Sequence, residues 1–369
     1  MTLYPNLILD ALRTVRYPGT GKDIVEMGMV ADDIRIEGNK VSFTLVFDRP
    51  TDPFIKSIVR SAETAITTHI SKDVEIAGNI AVVTRKRAAE TKPEEEPLAG
   101  VKNIIGVSSG KGGVGKSTIA CNLAVALARQ GYRVGLLDAD IFGPSQPKMF
   151  GVEDEQLYMR QVDDKNLIIP IEKYGVKMLS IGFVVDKEKA VLWRGAMASN
   201  ALKQLIGEAD WGELDYFIID MPPGTSDIHL TLVQTLAITG AIVVTTPQQV
   251  ALADARKGIS MFMGEQVGVP VLGIVENMSW FTPAAHPDEK YFIFGHDGGK
   301  QLAETLQVEL LAQIPLVAGI CHSSDNGTPA VLENTVSGAA FAQLAERVTQ
   351  AVDKRNATLP PTHKVQTHR

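Results

Sequence analysis

The sequence predicts an α/β fold, a mostly parallel sheet with helices on both faces, preceded by a small α+β domain. Three observations lead to this prediction. From Val101 onward, apolar runs of strand length alternate with helical segments, an order typical of a parallel sheet. A glycine-rich stretch, residues 110–117, lies between a strand pattern and a helix pattern. A charged, proline-bearing segment over residues 86–100 reads as a linker that separates the two parts.

Composition narrows the class of protein. The 369 residues carry 36 Lys and Arg against 43 Asp and Glu, a net charge of −7 that argues against non-specific nucleic-acid binding. No apolar run approaches the about 20 residues of a membrane-spanning helix, and the first residues lack the pattern of a signal peptide. The two cysteines, Cys121 and Cys321, suit a reducing compartment. We therefore expect a cytoplasmic protein that binds neither nucleic acid nor membrane.

Residues 1–85 predict the small α+β domain. Apolar positions at helical spacing predict two helices, and alternating apolar residues predict a hairpin around Gly38 and a closing strand. The predicted bounds are helices over 3–15 and 52–70, hairpin strands within 34–47 and a strand over 74–83. Such a set of elements can form a layered domain with its own core.

The stretch G-K-G-G-V-G-K-S, residues 110–117, predicts a phosphate-binding loop. It has the form G-x-x-x-x-G-K-[ST] in the strand–loop–helix context in which that pattern binds nucleotide phosphates. Glycines let backbone N–H groups surround phosphate oxygens, while Lys116 would neutralise the β- and γ-phosphates and the Ser117 hydroxyl would bind Mg²⁺. The predicted ATP-binding residues of this segment are Gly110, Lys111, Gly112, Gly113, Val114, Gly115, Lys116, Ser117 and Thr118.

A second lysine, Lys111, follows the first glycine of the loop. The run K-G-G-x-G-K-[ST] resembles the deviant Walker A signature of the class that includes MinD, ParA and the nitrogenase iron protein. The resemblance implies a homodimer in which Lys111 crosses the interface and contacts the nucleotide bound to the other subunit. A second cation on the transferred phosphoryl group would act as an arginine finger supplied in trans. Lys111 and Lys116 are therefore predicted catalytic residues.

Carboxylates end two of the predicted strands, where an open α/β sheet places its chemistry. Asp138 and Asp140 match the first switch of that class, which implies that Asp140 orients or activates the attacking water and that Asp138 lies nearer the Mg²⁺ hydration shell. Helix capping is the alternative for either residue alone. Asp220 matches the Walker B position, which implies that it holds Mg²⁺ through water. Ser117, Asp138 and Asp220 form the predicted metal set.

Longer runs narrow the resemblance to the Mrp/ApbC family of iron–sulfur cluster carrier ATPases. D-I-F-G-P-S at residues 140–145, W-R-G at 193–195 and D-M-P-P-G-T at 220–225 each resemble a run of that family, and the pattern around Gly28 resembles its N-terminal iron–sulfur assembly module. In the W-R-G run, Arg194 is either a phosphate or partner contact or a surface salt bridge.

Asn277 follows a predicted strand over residues 271–275. In the wider class an asparagine here reads the purine edge, a role that suits an amide because it both donates and accepts hydrogen bonds. The resemblance therefore implies that Asn277 binds the adenine of ATP.

One segment departs from the family pattern. Mrp/ApbC proteins commonly carry C-x-x-C after E-N-M-S, and these thiolates hold a [4Fe–4S] cluster between two subunits. Here residues 280–295 contain no cysteine, although the sequence on both sides matches. The usual ligands of an iron–sulfur cluster are therefore absent. A mixed set of Cys321 with His286 or His322 from two subunits is one alternative; an ordinary isolated thiol is the other.

The end of the chain predicts a closing helix over residues 338–352 and a disordered tail over residues 353–369, which bounds the ATPase domain at residues 101–352. The tail is basic and contains two adjacent prolines, Pro360 and Pro361, which argue against a membrane-binding amphipathic helix.

We predict an Mg²⁺-dependent homodimer that binds and slowly hydrolyses ATP and assists assembly or transfer of iron–sulfur clusters to apoproteins. Its partners would be apo iron–sulfur proteins or assembly factors. The main alternative, favoured by the missing thiols, is a metal-free ATP-switched scaffold or positioning protein of the ParA/MinD type. An electron-transfer ATPase like the nitrogenase iron protein ranks third, because it needs two cysteines per subunit at the dimer face and Cys121 lies inside a predicted helix.

Overall fold

The computed structural model describes residues 3–18, 22–47, 52, 54–84, 96–141, 143–162, 165–184, 195–283, 286 and 289–365. The chain divides into two compact units, Met1–Glu95 and Glu96–Arg369, and each has its own buried core. Of the predicted linker, residues 86–95 lie outside the described residues, and residues 96–100 belong to the larger unit.

The smaller unit is a three-stranded sheet packed against two helices. Its elements are α1 (Pro5–Leu12), β1 (Arg35–Glu37), β2 (Lys40–Phe47), α2 (Ile55–His69) and β3 (Ile80–Thr84). β1 and β2 pair antiparallel as the predicted hairpin, and β3 runs parallel to β2. Every second residue of β2 from Val41 to Phe47 is buried, which is the alternation that predicted the strand. The closing strand begins at Ile80, later than the predicted residue 74.

The larger unit is built on an eight-stranded sheet. The strands of this unit are, in chain order, β4 (Val101–Ser109), β5 (Val134–Asp138), β6 (Tyr158–Val162), β7 (Lys165–Ile169), β8 (Ile171–Lys173), β9 (Val176–Ser180), β10 (Leu214–Asp220), β11 (Gly240–Thr245), β12 (Val271–Phe281) and β13 (Leu310–Leu316). β6 and β7 pair with each other as a hairpin, and the others form one sheet in the order β13-β12-β11-β4-β10-β5-β9-β8. All neighbours in this sheet are parallel except β8, which is antiparallel to β9.

Helices cover both faces of this sheet. They are α3 (Lys116–Arg129), α4 (Gln146–Phe150), α5 (Gly195–Gly207), α6 (Asp227–Thr235), α7 (Gln249–Met263), α8 (Gly298–Leu306), α9 (Ala318–Asp325) and α10 (Val336–Thr358). One buried cluster joins α3 and α10 to the sheet, and a second joins α5, α6, α7 and α8 to it. Ile218 and Ile219, adjacent in β10, belong to different clusters because successive strand residues point to opposite faces. The predicted fold class is confirmed.

The parallel register brings the chemistry to one edge of the sheet. β10 lies between β4 and β5, and Asp220 pairs with Val107 on one side and Asp138 on the other. β4 ends at Ser109 and leads directly into the glycine loop. The glycine loop and the two carboxylates therefore meet at the carboxyl ends of three adjacent strands.

The end of the chain differs from the prediction. The closing helix continues to Thr358, so the expectation of disorder is wrong for residues 353–358, which are helical. The reason is Arg355, which is only 7% exposed and whose guanidinium donates to the Pro360 carbonyl at 2.6 Å. Beyond it, the Val365 N–H donates to the Val233 carbonyl at 3.0 Å, at the end of α6. We call residues 359–365 the C-terminal strap.

One further bound differs from the prediction. The strand predicted over residues 271–275 continues through Asn277 to Phe281. Within the described ranges, no helix combines the length and the apolar character that a membrane crossing requires.

Candidate functional site

The glycine loop has a backbone conformation that residues with a side chain rarely adopt. Gly113 and Gly115 have φ angles of 81° and 84°, in the left-handed region that favours glycine. A Cβ on Gly115 would lie 2.2 Å from Nδ2 of Asn277. This amide donates to the Val114 carbonyl at 2.8 Å, so β12 supports the loop from outside. The loop then enters α3 with Lys116 as its first residue, which directs backbone N–H groups of the helix start toward the loop.

Lys116 lies at the centre of a buried charge cluster. Its ammonium contacts the Asp220 carboxylate directly, lies 3.3 Å from the Ser117 hydroxyl and 3.8 Å from Oδ2 of Asp140. The lysine is 6% exposed and Asp220 is fully buried, so each charge depends on the other for compensation. The structure thus brings together four of the predicted site residues, Lys116, Ser117, Asp140 and Asp220.

Asp138 has a different environment from the other two aspartates. Its carboxylate accepts hydrogen bonds from the backbone N–H groups of Asp140, Ser145 and Gln146 and from the Ser180 hydroxyl, at 2.9–3.2 Å. Burial, and then the nearby Asp220 carboxylate, raise the pKa of Asp138 to about 7. These bonds fix the loop between β5 and α4. The role of Asp138 near the metal stays a prediction.

Gln146 is a site residue that the sequence analysis missed. It is fully buried, and its side-chain N–H groups donate to the Ser117 carbonyl at 3.0 Å and to Oδ2 of Asp220 at 2.8 Å. It therefore links the phosphate loop to the Walker B strand. No sequence motif identifies Gln146 as a site residue, because its position depends on how the loop between β5 and α4 folds around Asp138.

His229 was also missed. It is 1% exposed, accepts from the Ser226 N–H through Nδ1 at 3.2 Å, and has Nε2 3.4 Å from the Ser108 hydroxyl. Burial, and then the Lys116 charge, lower its pKa to about 4, so the ring is neutral and Nε2 carries the proton toward Ser108. It ties the start of α6 to β4. The run D-M-P-P-G-T-x-D, residues 220–227, resembles the second switch of the class. It ends two residues before His229 and is the sequence signal that could have identified this residue.

Lys111 is held in the loop through its backbone. It is half-buried, and its carbonyl accepts from the Ser109 hydroxyl at 2.9 Å. The Ser109 carbonyl in turn accepts from the Gly224 N–H at 2.8 Å, so the second switch is hydrogen-bonded to the end of β4. Trp193 and Arg194 of the W-R-G run lie outside the described residues.

The segment that lacks the family's cysteines is described at residues 280–283, 286 and 289–295. Phe281 and Tyr291 pair as an antiparallel bridge, and the Lys290 ammonium lies 4.1 Å from the centre of the Trp280 ring. Tyr291, Phe292 and Ile293 are 48%, 42% and 61% exposed. We call residues 280–295 the hairpin segment.

Neither cysteine forms a recognisable cluster site. Cys121 is buried in α3, and the exposed Cys321 thiol lies 3.6 Å from an Asp325 carboxylate oxygen, which raises its pKa. Within the described part of the chain, no group of three or more His, Cys, Asp or Glu side chains could hold a metal ion. The residues present do not fit an iron–sulfur cluster held by one subunit.

The site formed by the glycine loop and Asp220, in contrast, fits the Mg²⁺–nucleotide that the loop motif implies. A glycine loop leads into a helix, and a hydroxyl and a buried carboxylate converge on one lysine, as Mg²⁺–nucleotide binding requires. Fold and site together define a P-loop NTPase of the deviant Walker A class.

Comparison with known proteins specifies the family. The family described as NUBPL iron-transfer P-loop NTPase matches residues 100–352, and the iron-sulfur cluster assembly protein family matches residues 6–77. The chain belongs to this family of iron-transfer P-loop NTPases, and the resemblance inferred from its sequence runs is confirmed.

Two relatives and one solved structure illustrate the similarity. The iron-sulfur cluster carrier protein of Synechocystis is 43% identical over 95% of this chain and 99% of its own length. That of Escherichia coli strain K12 is 47% identical over 78% of this chain and 75% of its own. A nucleotide-binding protein from Archaeoglobus fulgidus in complex with ADP is 38% identical, with a TM-score of 0.56 over 64% of this chain and 91% of that one.

Proposed function

We propose that this protein is an Mg²⁺-dependent, ATP-hydrolysing homodimer that assists assembly or transfer of iron–sulfur clusters to apoproteins. The observation that carries the proposal is the buried contact of Lys116 with Asp220 beside the Ser117 hydroxyl, in a chain of the iron-transfer family. The names of its relatives, iron-sulfur cluster carrier proteins, support the cargo. Partners would be apo iron–sulfur proteins or assembly factors, and a cytoplasmic location stays a prediction.

Different residues of the site would bind the phosphates, the Mg²⁺ ion and the purine. Residues 110–118 would bind the phosphates, with backbone N–H groups of the loop around the oxygens and Lys116 leaving Asp220 to neutralise the charge. Ser117 and Asp220 would hold Mg²⁺, which neutralises charge on the phosphates. Asn277, which already supports the loop through Val114, lies beside Gly115 and has an amide oxygen suited to a purine amino group.

Hydrolysis would depend on a positioned carboxylate and a second cation. Asp140 lies beside Lys116, with Oδ2 3.8 Å from the ammonium, and would orient a water and accept its proton. Lys111 would contact the phosphates bound to the other subunit, which makes turnover conditional on dimer closure. We expect slow, switch-like turnover on this basis.

A second candidate function rests on the hairpin segment. Residues 280–295 contain no cysteine, so a metal-free, ATP-switched scaffold remains the alternative. The experiment is anaerobic reconstitution of the wild type and Cys321→Ala, followed by iron and sulfide analysis and a visible absorption spectrum. Each sample is also assayed for ATP hydrolysis.

The outcomes separate the two functions. A stoichiometric cluster on the wild type that is lost in Cys321→Ala would establish a relocated site and support the carrier. No cluster on either protein, with ATP hydrolysis intact, would contradict the carrier function and favour the scaffold. The third possibility, an electron-transfer ATPase like the nitrogenase iron protein, would need two cysteines per subunit at a dimer face, and Cys121 is buried inside α3.

A further inference from the structure

The Gln146 amide has only one orientation that satisfies its neighbours. Its nitrogen lies 3.0 Å from the Ser117 carbonyl oxygen and 2.8 Å from Oδ2 of Asp220. Both of these atoms only accept hydrogen bonds, so the nitrogen and not the oxygen must face them. The two amide protons are therefore both used, one on the phosphate loop and one on the Walker B carboxylate.

The two oxygens of Asp220 have separate partners. Oδ1 contacts the Lys116 ammonium, and Oδ2 accepts from Gln146. When Lys116 turns to the phosphates, Oδ1 becomes available to the metal, but a fully buried carboxylate then loses its cation. The bond from Gln146 does not depend on Lys116. It can therefore keep Asp220 in one orientation in both arrangements.

The remaining atom of the amide is unsatisfied. Oε1 of Gln146 is buried and has no hydrogen-bond partner among the described residues, and the same holds for the hydroxyl of Ser145. A buried carbonyl oxygen without a donor costs free energy unless a donor reaches it when the site is filled. Water molecules around Mg²⁺ at Ser117 and Asp220 are donors of this kind.

We propose that Gln146 is a positioning residue of the nucleotide site, which orients Asp220 through its amide nitrogen and accepts a hydrogen bond from the hydration shell of Mg²⁺ through its amide oxygen. The inference rests on the proposed function, because it assumes that Mg²⁺ accompanies the nucleotide. It adds a residue from the first turn of α4 to the predicted metal set. α4 thereby becomes sensitive to whether the metal site is filled.

The test measures how much Mg²⁺ strengthens nucleotide binding. ADP affinity is determined by calorimetry on the full chain, with Mg²⁺ and with a chelator, for the wild type, Gln146→Met and Gln146→Asn. Met keeps the length of the side chain but removes both polar atoms, and Asn shortens the amide so that it cannot reach both partners. Gln161→Met makes the same chemical change on the exposed strand β6 and serves as the matched control.

The ratio of the two affinities decides the result. We expect both Gln146 variants to lose about 10- to 100-fold of the Mg²⁺-dependent gain in ADP affinity, measured as the ratio of the affinities with and without Mg²⁺, and Gln161→Met to behave like the wild type. A purely structural role would lower both affinities together and keep the ratio, which would overturn the inference. If Gln146→Met does not fold, the ratio for Gln146→Asn decides. A wild type without any Mg²⁺-dependent gain would instead contradict the proposed function itself.

Discussion

The nucleotide end of the sheet and the hairpin segment differ in how deeply their side chains are buried and in how far those side chains depend on one another. At the nucleotide end, Lys116 is 6% exposed and Asp138 and Asp220 are fully buried. Lys116 and Asp220 compensate each other's charge, and hydrogen bonds hold Asp138. In the hairpin segment, Tyr291, Phe292 and Ile293 are all more than 40% exposed. Removing one member of a buried charge cluster leaves another uncompensated, whereas exposed side chains can be exchanged at little cost. This difference explains how the chain can lack the family's thiols and keep an intact phosphate site.

The largest expected effect tests this comparison with the same substitution in both regions. Lys116→Ala should abolish measurable ATP binding and, because Asp220 loses its cation, cost about 3–5 kcal/mol of stability. Lys290→Ala removes an exposed lysine over the Trp280 ring and should bind ATP like the wild type. Calorimetric titration with ATP and thermal unfolding measure both effects. Unchanged ATP affinity in Lys116→Ala would refute the assignment of the site.

A smaller effect is expected at Lys111, which belongs to the loop but not to the buried cluster. Lys111→Ala should bind ATP with nearly wild-type affinity, while kcat falls on the order of 10³-fold if the lysine acts on the transferred phosphoryl group. Steady-state ATP hydrolysis and nucleotide titration separate these two quantities.

Mixing variants tests whether Lys111 acts across the dimer. A Lys116→Ala subunit cannot bind nucleotide but still carries Lys111, so mixing it with Lys111→Ala should restore part of the hydrolysis. No recovery in the mixture, with dimers shown by light scattering, would contradict action in trans.

The smallest effect concerns pH and His229. Its folded-state pKa of about 4 lies below the ordinary value of 6.5, so the unfolded chain binds a proton that the folded chain does not. The contribution of His229 to stability, on the order of 1 kcal/mol per pH unit, should therefore be lost progressively as pH drops from about 6.5 to about 4.

The variant His229→Gln isolates this contribution. Glutamine at this position can still accept from the Ser226 N–H, as in an ordinary capping box, but it does not titrate. The raised pKa of Asp138 acts with the opposite sign, since the folded chain keeps that proton, and it is common to both proteins. Thermal unfolding from pH 7 to pH 4 should show the wild type losing stability relative to His229→Gln as the pH drops. Parallel curves for the two proteins would show that His229 contributes no such pH dependence.

The sequence predicted the parts of the fold that combine a buried strand with a special turn. The glycine loop and the strand that ends at Asp220 have such signals, because close approach of backbone and phosphate restricts the residue types. The hairpin β6–β7 has none: its residues are mostly exposed, so no apolar alternation distinguishes them from a loop. β12 continues past Asn277 because β13 pairs with it as far as Phe281, which only the tertiary structure determines.

The same distinction applies to the site residues. Lys116, Asp140 and Asp220 follow strands or glycines at fixed spacing, and they do lie together. Gln146 follows a proline-bearing loop whose path is set by three backbone hydrogen bonds to Asp138, so its contact with Asp220 depends on a fold of the loop that no short pattern encodes. Its role was therefore accessible only from three-dimensional geometry.

The C-terminal strap has a practical consequence for labelling the protein. Because the Val365 N–H is hydrogen-bonded to the Val233 carbonyl, a fluorophore attached at residue 364 lies close to the end of α6, the helix that follows the second switch. Its emission can report movement of that helix without any change to the phosphate loop. An affinity tag for purification is better joined to the amino terminus, so that the strap keeps its bonds to α6.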